Sequence, residues 1–424
     1  MSNYLSRAGL RKRAARRFAV TLGVALAVAG TLACGDLLEV ELPGVVEEES
    51  LEDPQFIELF LESAIGAFEC AFTNYVLTSA NVTDEMYNTA SFENFLHYDQ
   101  RTVDADNGTF ASGGCGGVGG LYTPLSQARF LADETTRRAE EVDEAELPNK
   151  SEILGRAALY AGYSYTLFGE GFCESAFDNG PLQQPAQVLE LADQRFTTAI
   201  THAEALGDSD LLNTALVGRA RVRLDLGKDE EAAADARRVP EGFVWYVTRE
   251  DQPSTRENKV FGHSNVAKHT SVDREFWDME WDGTADPRVE LVHTGELAFD
   301  GLTPLVLQTK YTSRSDDLPL ARHEEALLII AEAEGGQTAV DIINLLHERA
   351  GLPPFTGTEL TEVMDHLVEE RRRELFLEGH RINDLLRLGL GFPTGENPYN
   401  RRPYGDMTCF PLPNVERLNN PNIG

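Results

Sequence analysis

The chain has 424 residues, 42% of them hydrophobic, and a formal net charge of -33. That length buries one large core or two ordinary ones. The first 33 residues hold six Arg and Lys and no acid, leaving 31 basic against 70 acidic residues beyond them; so acidic a body argues against nucleic acid or anionic lipid as a partner and suits salty surroundings, where charge is screened within about 10 Å.

In chain order, Arg11-Lys12-Arg13 and Arg16-Arg17 form a basic region and residues 18–29 an apolar one. This is the layout of a targeting segment, too short to cross a membrane with ordinary flanks. Thr31-Leu32-Ala33-Cys34 resembles a bacterial lipoprotein signal, with small Ala33 before the cysteine and Thr31 where leucine is usual. Residues 1–33 are therefore expected to be a lipoprotein signal peptide and Cys34 the acylated anchor. The acidic residues 34–52, broken by Pro43-Gly44, are expected to be a tether. The plainer alternative is an ordinary signal cut near Ala33. Several acyl chains anchor far more firmly than one.

An exported chain lives in an oxidising compartment, and Cys70, Cys115, Cys173 and Cys409 remain as an even set. Three pairings are open. The favoured one joins Cys70 to Cys115, stapling an early loop to the first helix, and Cys173 to Cys409, tying down the C-terminus. The spacings lack the close CxxC pairs of a zinc site.

Helical periodicity begins at 54–78, where Phe56, Ile57, Phe60, Leu61, Ile65 and Phe68 share a face. Residues 79–120 lose it and are expected to be a long loop carrying Asn81, Asp84, Tyr87 and Asn88, and loops that long are usually functional or mobile. Helices are expected again at 121–142, 147–169, 187–207, 210–226 and 229–239. Residues 212–236 look like a degenerate tetratricopeptide unit, with small Gly218, Ala220, Ala232 and Ala236 where two helices would pack closely.

Residues 240–319 differ in character. They hold all three tryptophans, Trp245, Trp277 and Trp281, with turn signals Asp282-Gly283 and Asp286-Pro287 and a strand-like run at 305–311. This segment is expected to be a loop-rich, partly β insertion between helical bodies at 53–239 and 320–391. The last of these bodies has three helical segments, punctuated by Gly335-Gly336 and by Gly351 to Pro354. Residues 392–424, rich in Pro and Asn, are expected to be an extended tail lying on the body.

Several further runs together carry a family resemblance. They are LYAGYSYTLFGEGFC at 159–173, Asp286-Pro287-Arg288 ahead of Lys310-Tyr311, RHEEALLIIAEA at 322–333, and Ile343-Asn344 with Arg349 to Leu352. EERRRELFLEGHR at 369–381 and FPLP at 410–413, with Glu416 and Asn419-Asn420-Pro421, complete the set. With the Cys34 anchor, their order and spacing resemble the SusD/RagB nutrient-uptake lipoproteins across nearly the whole mature chain, most clearly over 320–421. The resemblance implies a mostly α fold of tetratricopeptide-like helix pairs, with residues 53–424 as one SusD-like domain. It further implies an outer-membrane, cell-surface lipoprotein that captures a glycan or other nutrient and serves as a lid on a SusC-like TonB-dependent transporter. Such proteins bind and do not catalyse, and no cofactor is implied. The short loops and strong acidity depart from many members and put the ligand, more than the role, in question.

Sugar rings present apolar C–H faces to flat aromatic side chains, with a few polar groups to orient the hydroxyls. The expected ligand-binding residues are Trp277 and Trp281 with Tyr87, and Asn81, Asp84 and Asn88. The alternative for each tryptophan is core packing, favoured for Trp245 between Val244 and Val247. Ion pairs at i,i+3 and i,i+4 account for most of Glu369 to Glu374, with Glu370 meeting Arg373 and Glu369 meeting Arg372 and Arg373. Glu378, His380, Arg381 and Asp384 are expected to extend that network around Gly379. Asp104-Ala105-Asp106-Asn107-Gly108 reads as a turn, since it lacks the alternation and distal acid of a calcium loop. His263 and His269 are the histidines close in sequence, and no metal is expected there. Random carboxylate pairs among 70 acids carry no signal for glycoside hydrolysis. GxSxG, a phosphate-cradling glycine loop and HExxH are all lacking. Two rival readings remain, an exported helical-repeat scaffold binding only protein partners and a carbohydrate-active enzyme.

Overall fold

The structure is a computed structural model and describes residues 53–115 and 120–423. The expected signal peptide, the Cys34 anchor and the tether lie outside the described residues. Among the described residues the chain runs through α1 (Ile57–Val82), β1 (Met86–Asn88), α2 (Glu93–Asp99), α3 (Gly108–Ser112), α4 (Tyr122–Glu141) and α5 (Lys150–Gly171). Then come α6 (Pro185–Leu206), α7 (Ser209–Asp225), α8 (Asp229–Ala236), β2 (Val244–Val247), a single turn α9 (Lys259–Phe261) and β3 (Thr270–Val272). The hairpins β4 (Glu280–Trp281) with β5 (Thr284–Ala285) and β6 (Leu291–Leu297) with β7 (Pro304–Gln308) lead to β8 (Leu318–Arg322). The chain closes with α10 (His323–Glu334), α11 (Gly336–Ala350), α12 (Leu360–Glu374), α13 (Arg381–Arg387) and α14 (Asn414–Asn419). The architecture is mostly α, as expected.

Helices pack on their chain neighbours: α4 on α5, α5 on α6, α6 on α7, and α7 on α8, with α10 continuing the row beside α8. Gly207, at φ 70°, ends α6, and Asp208 caps α7 by accepting from Asp210 N and Leu211 N, so two residues turn the chain. Phe196 on α6 is wedged between Gly162 and Gly218. A Cβ at Gly218 would lie 2.4 Å from its ring, and one at Gly162 2.8 Å. Small residues thus let α5 and α7 close on one aromatic ring, with Gly218 of the expected tetratricopeptide-like unit turned toward Phe196 of α6.

Helix α1 also packs against α4 and α5, and is buried almost throughout from Phe68 to Val82. The expected loop at 79–120 is corrected here. Its first residues belong to α1, and β1, α2 and α3 occupy much of the rest. The periodic signal fades after Thr78 because α1 is buried on all sides, where polar Thr78, Ser79 and Asn81 bond back to their own helix carbonyls. The Asp104–Gly108 run is a turn: Asp104 Oδ1 accepts from Asp106 N, and Asn107 Oδ1 caps α3 through Phe110 N.

Among the described residues, all four two-stranded sheets are antiparallel, pairing β1 with β3, β2 with β8, β4 with β5 and β6 with β7. The β2–β8 pair closes the base of the segment between the helical bodies. The C-terminal tail does more than lie on the surface. Phe410 is fully buried among Tyr98, Phe110 and Phe172, and its backbone bridges Phe172. Cys173 joins Cys409 beside this bridge and Cys70 joins Cys115, with Cα atoms 5.1 and 5.7 Å apart.

Candidate ligand-binding cleft

Pairing of β1 with β3 sets Tyr87 opposite Ser271, and the chain then continues through Asp273, Arg274 and Glu275. Asp273 Oδ1 accepts from Glu275 N at 3.0 Å, capping a short helical turn, and the Tyr87 hydroxyl also bonds this carboxyl. Burial outweighs those bonds and pushes the Asp273 carboxyl up to about 7. Residues 390–404 cross over this edge. Asn397, fully buried, holds the crossing in shape by accepting from Tyr399 N and Asn400 N.

Between these pieces lies a cleft of about 360 Å³, lined by Asp84, Tyr87, Asp273, Arg274, Phe392 and Tyr404 among others. Phe392, Thr394 and Tyr404 also line an adjoining cleft of about 560 Å³ that opens toward Arg101. The Arg101 guanidinium lies 5.6 Å from the Phe392 ring and 5.7 Å from Tyr404, with Nη1 bonded to the Met407 carbonyl. Behind the first cleft, Tyr399 meets Tyr87 edge-on at 5.6 Å and stacks on Trp277 at 6.1 Å. The result is a run of aromatic rings bordered by acids, two arginines and a threonine.

The sequence-expected residues separate. Asp84 and Tyr87 line the cleft, and Trp277 backs it while donating from Nε1 to the Val272 carbonyl at 2.9 Å. Asp84 is committed, both of its oxygens being held by Arg381 at 2.7 and 2.6 Å. Asn81 and Asn88 do not reach the cleft surface. Asn81 Nδ2 bonds the Leu77 carbonyl within α1, and Asn88 bonds Ala90 through both side-chain atoms. Trp281 sits elsewhere, against His347, Phe355 and His366. Sequence reading missed Phe392, Tyr399 and Tyr404, which the Pro- and Asn-rich composition of the tail concealed.

A larger cavity of about 840 Å³ lies between β2, β8 and the end of α12, but it is a charge brace. Its cations are already paired: Arg288 with Asp286 and Glu370, Arg322 with Glu374 and Glu378, and Lys310 with Glu378. The expected intrahelical pairs in EERRRE hold for Glu369 with Arg372 and Arg373. Glu370 instead bonds Arg288 and His347, Arg371 bonds Asp384, and Arg373 bonds Asp286. This face of α12 is buried, so its charges need partners from other elements. His263 and His269 stand 5.7 Å apart beside Phe95, and burial pushes His263 down to about 3.

The SusD family sequence profile matches residues 305–416, the stretch that supplies Lys310, Arg322, Glu370, Glu374 and Glu378 of this brace and the crossing over the cleft. Solved structures agree along most of the chain. One is a SusD-like carbohydrate-binding protein from Bacteroides fragilis, with TM-score 0.69 and 15% identity over 87% of this chain and 98% of that one. Residues 305–416 of this chain are thus similar to the SusD family, and the fold is SusD-like. A SusD superfamily protein from Bacteroides vulgatus has TM-score 0.66 and 16% identity, covering 87% of this chain and 97% of its own. Surface glycan-binding protein A from Bacteroides uniformis has TM-score 0.65 and 14% identity, covering 87% and 98%. At these identities the structural likeness to SusD proteins is one of fold. No curated protein matches the sequence. Among the described residues, no helix is long and apolar enough to cross a membrane.

Proposed function

We propose that this chain is a cell-surface lipoprotein that binds a glycan or oligosaccharide without chemistry and passes it to a SusC-like TonB-dependent transporter in the outer membrane. In this reading Cys34 carries the lipid anchor, residues 34–52 are the tether, and residues 53–424 act as one SusD-like domain. The SusD family match over residues 305–416 supports the role, as do structural neighbours named as carbohydrate-binding or glycan-binding. The observation that carries the reading is the pair of adjoining clefts sharing Phe392 and Tyr404, with Tyr87 at their edge and Asp273 and Arg274 alongside.

The chemistry follows from that lining. Sugar C–H faces stack on Phe392 and Tyr404, and the hydroxyls bond the carboxyl of Asp273 and the guanidinium of Arg274. Tyr399 and Trp277 hold Tyr87 in place and do not touch ligand first. Affinity electrophoresis against a polysaccharide panel tests the site. Tyr404→Ala or Phe392→Ala should weaken retention about tenfold, equal to ~1.4 kcal/mol, whereas Trp281→Ala should leave it unchanged. Retention insensitive to both cleft variants sinks this assignment. Co-purification of a large barrel protein from native outer membranes tests delivery separately.

A further inference from the structure

His347 on α11 and His366 and Glu370 on α12 converge, although nineteen residues separate the two histidines in sequence. His366 and Glu370 are four residues apart and share one helix face. His347 Nε2 lies 2.8 Å from Glu370 Oε1 and 3.2 Å from His366 Nε2, and His366 Nε2 lies 3.5 Å from the same Oε1. These three atoms form a nearly even triangle. Tetrahedral zinc with bonds of about 2.05 Å needs ligand–ligand edges of about 3.3 Å. The triangle's circumradius is about 1.85 Å, so an ion about 0.9 Å off its plane reaches all three donors at that bond length.

The orientation of His347 fits the same purpose. Its Nδ1 lies 2.6 Å from the Pro353 carbonyl, which only accepts, so Nδ1 carries the hydrogen. That hydrogen turns the ring so that Nε2 faces a carboxylate oxygen and a second imidazole nitrogen. A cation among these three atoms would be bound by all of them, and a backbone carbonyl behind a histidine is a common outer-shell support for a metal ligand. Arg288 holds the other carboxylate oxygen, Oε2, closely at 2.6 Å and reaches Oε1 only at 3.3 Å, so Oε1 keeps lone-pair capacity for an ion. Its positive charge is offset by Asp286 at 2.7 Å and Glu374 at 3.3 Å.

The surroundings are apolar and ordered. Phe355 stacks on His366 at 4.4 Å and 12°, and Trp281 lies 4.3 Å from the same ring. His347 and Glu370 side chains are 1% exposed, while His366 keeps 9% and offers an entry path.

We propose that His347, His366 and Glu370 bind a divalent transition-metal ion, zinc by the nature of the donors, with a fourth position open to water or an incoming ligand. The ion ties α11 to α12 behind the β4–β5 hairpin that carries Trp281. The site stands apart from the glycan cleft and is tested without any glycan.

The mature chain, stripped with EDTA and desalted, is titrated with zinc chloride by calorimetry and loaded in parallel with cobalt(II). One zinc per chain and intense four-coordinate cobalt bands are expected. His366→Gln should weaken zinc by at least the roughly 10–100-fold that losing even an outer-shell partner costs, while His293→Gln on β6 should leave it unchanged. Because His347→Asn changes a buried residue and risks the fold, the wild-type cobalt spectrum carries the second arm. Binding below one ion per chain, six-coordinate aqua-type cobalt bands, or zinc affinity unaltered in His366→Gln would each overturn the proposal. The last two outcomes would leave an imidazolium–carboxylate pair as the account of the triangle.

Discussion

Three buried carboxyls, Glu85, Asp99 and Asp273, are each pushed up to about 7, burial being the largest cause in every case. Asp99 accepts from Asn88 N at 2.9 Å, and its other oxygen is buried without a partner. Its folded-state value lies above its unfolded one, so its stabilisation is full below about pH 4 and is lost as pH rises through about 7. Asp99→Asn removes that loss. The variant should gain on the wild type between pH 5 and pH 8 by on the order of 2 kcal/mol, read from urea unfolding at the two values; a constant difference would contradict the burial argument. Asp384 behaves oppositely. Burial raises it, but Arg371 and Arg387 outweigh that and bring it to about 2, so its contribution persists down to strongly acid pH. None of these shifts is written in the sequence, because each depends on which residues surround the carboxyl. What the sequence did offer at this scale was residue type. Tyr87 and Asp84 reached the cleft, but Asn81 and Asn88 lie on the buried sides of α1 and β1.

At the scale of elements, helix contacts follow the small residues. Gly218 admits the Phe196 ring, and an alanine there would meet it at 2.4 Å. Alanine is intrinsically better in a helix by about 1 kcal/mol, but overpacking a filled site costs about 1–3 kcal/mol. Gly218→Ala is therefore expected to lower stability by about 1 kcal/mol, and Phe196→Leu in the same chain should recover part of the loss, giving a non-additive double-mutant cycle. A stabilised Gly218→Ala would show that α6 shifts freely. Helices α4, α6, α11 and α12 were legible because their apolar period survives next to solvent, and α5, buried nearly throughout, because its run is almost unbroken in apolar, small and aromatic residues. The end of α1 was not, since a helix buried on every side has no polar face to mark its period. The tail residues Phe392, Tyr399 and Tyr404 have no period at all, and only the crossing held by Asn397 gives them a shared place.

For the whole molecule, the Cys173–Cys409 link spans 236 residues and joins the end of α5 to the C-terminal segment around Phe410. Replacing both cysteines by alanine should cost about 2–5 kcal/mol, seen as a lower denaturation midpoint, with the Cys70–Cys115 link intact in non-reducing peptide maps. A wild-type midpoint would mean that the buried Phe410 cluster alone fixes the tail. The sequence by itself determined the helical class and the resemblance to SusD proteins, since these rest on residue identity, order and local period, and it favoured without fixing the cysteine pairing that the structure shows. Tertiary structure alone decided that EERRRE mostly braces other elements, that Trp277 and Trp281 face different neighbours, and that two distant histidines meet one glutamate. Those outcomes depend on which faces are buried together, and burial is a property of the assembled fold that no local stretch of sequence contains.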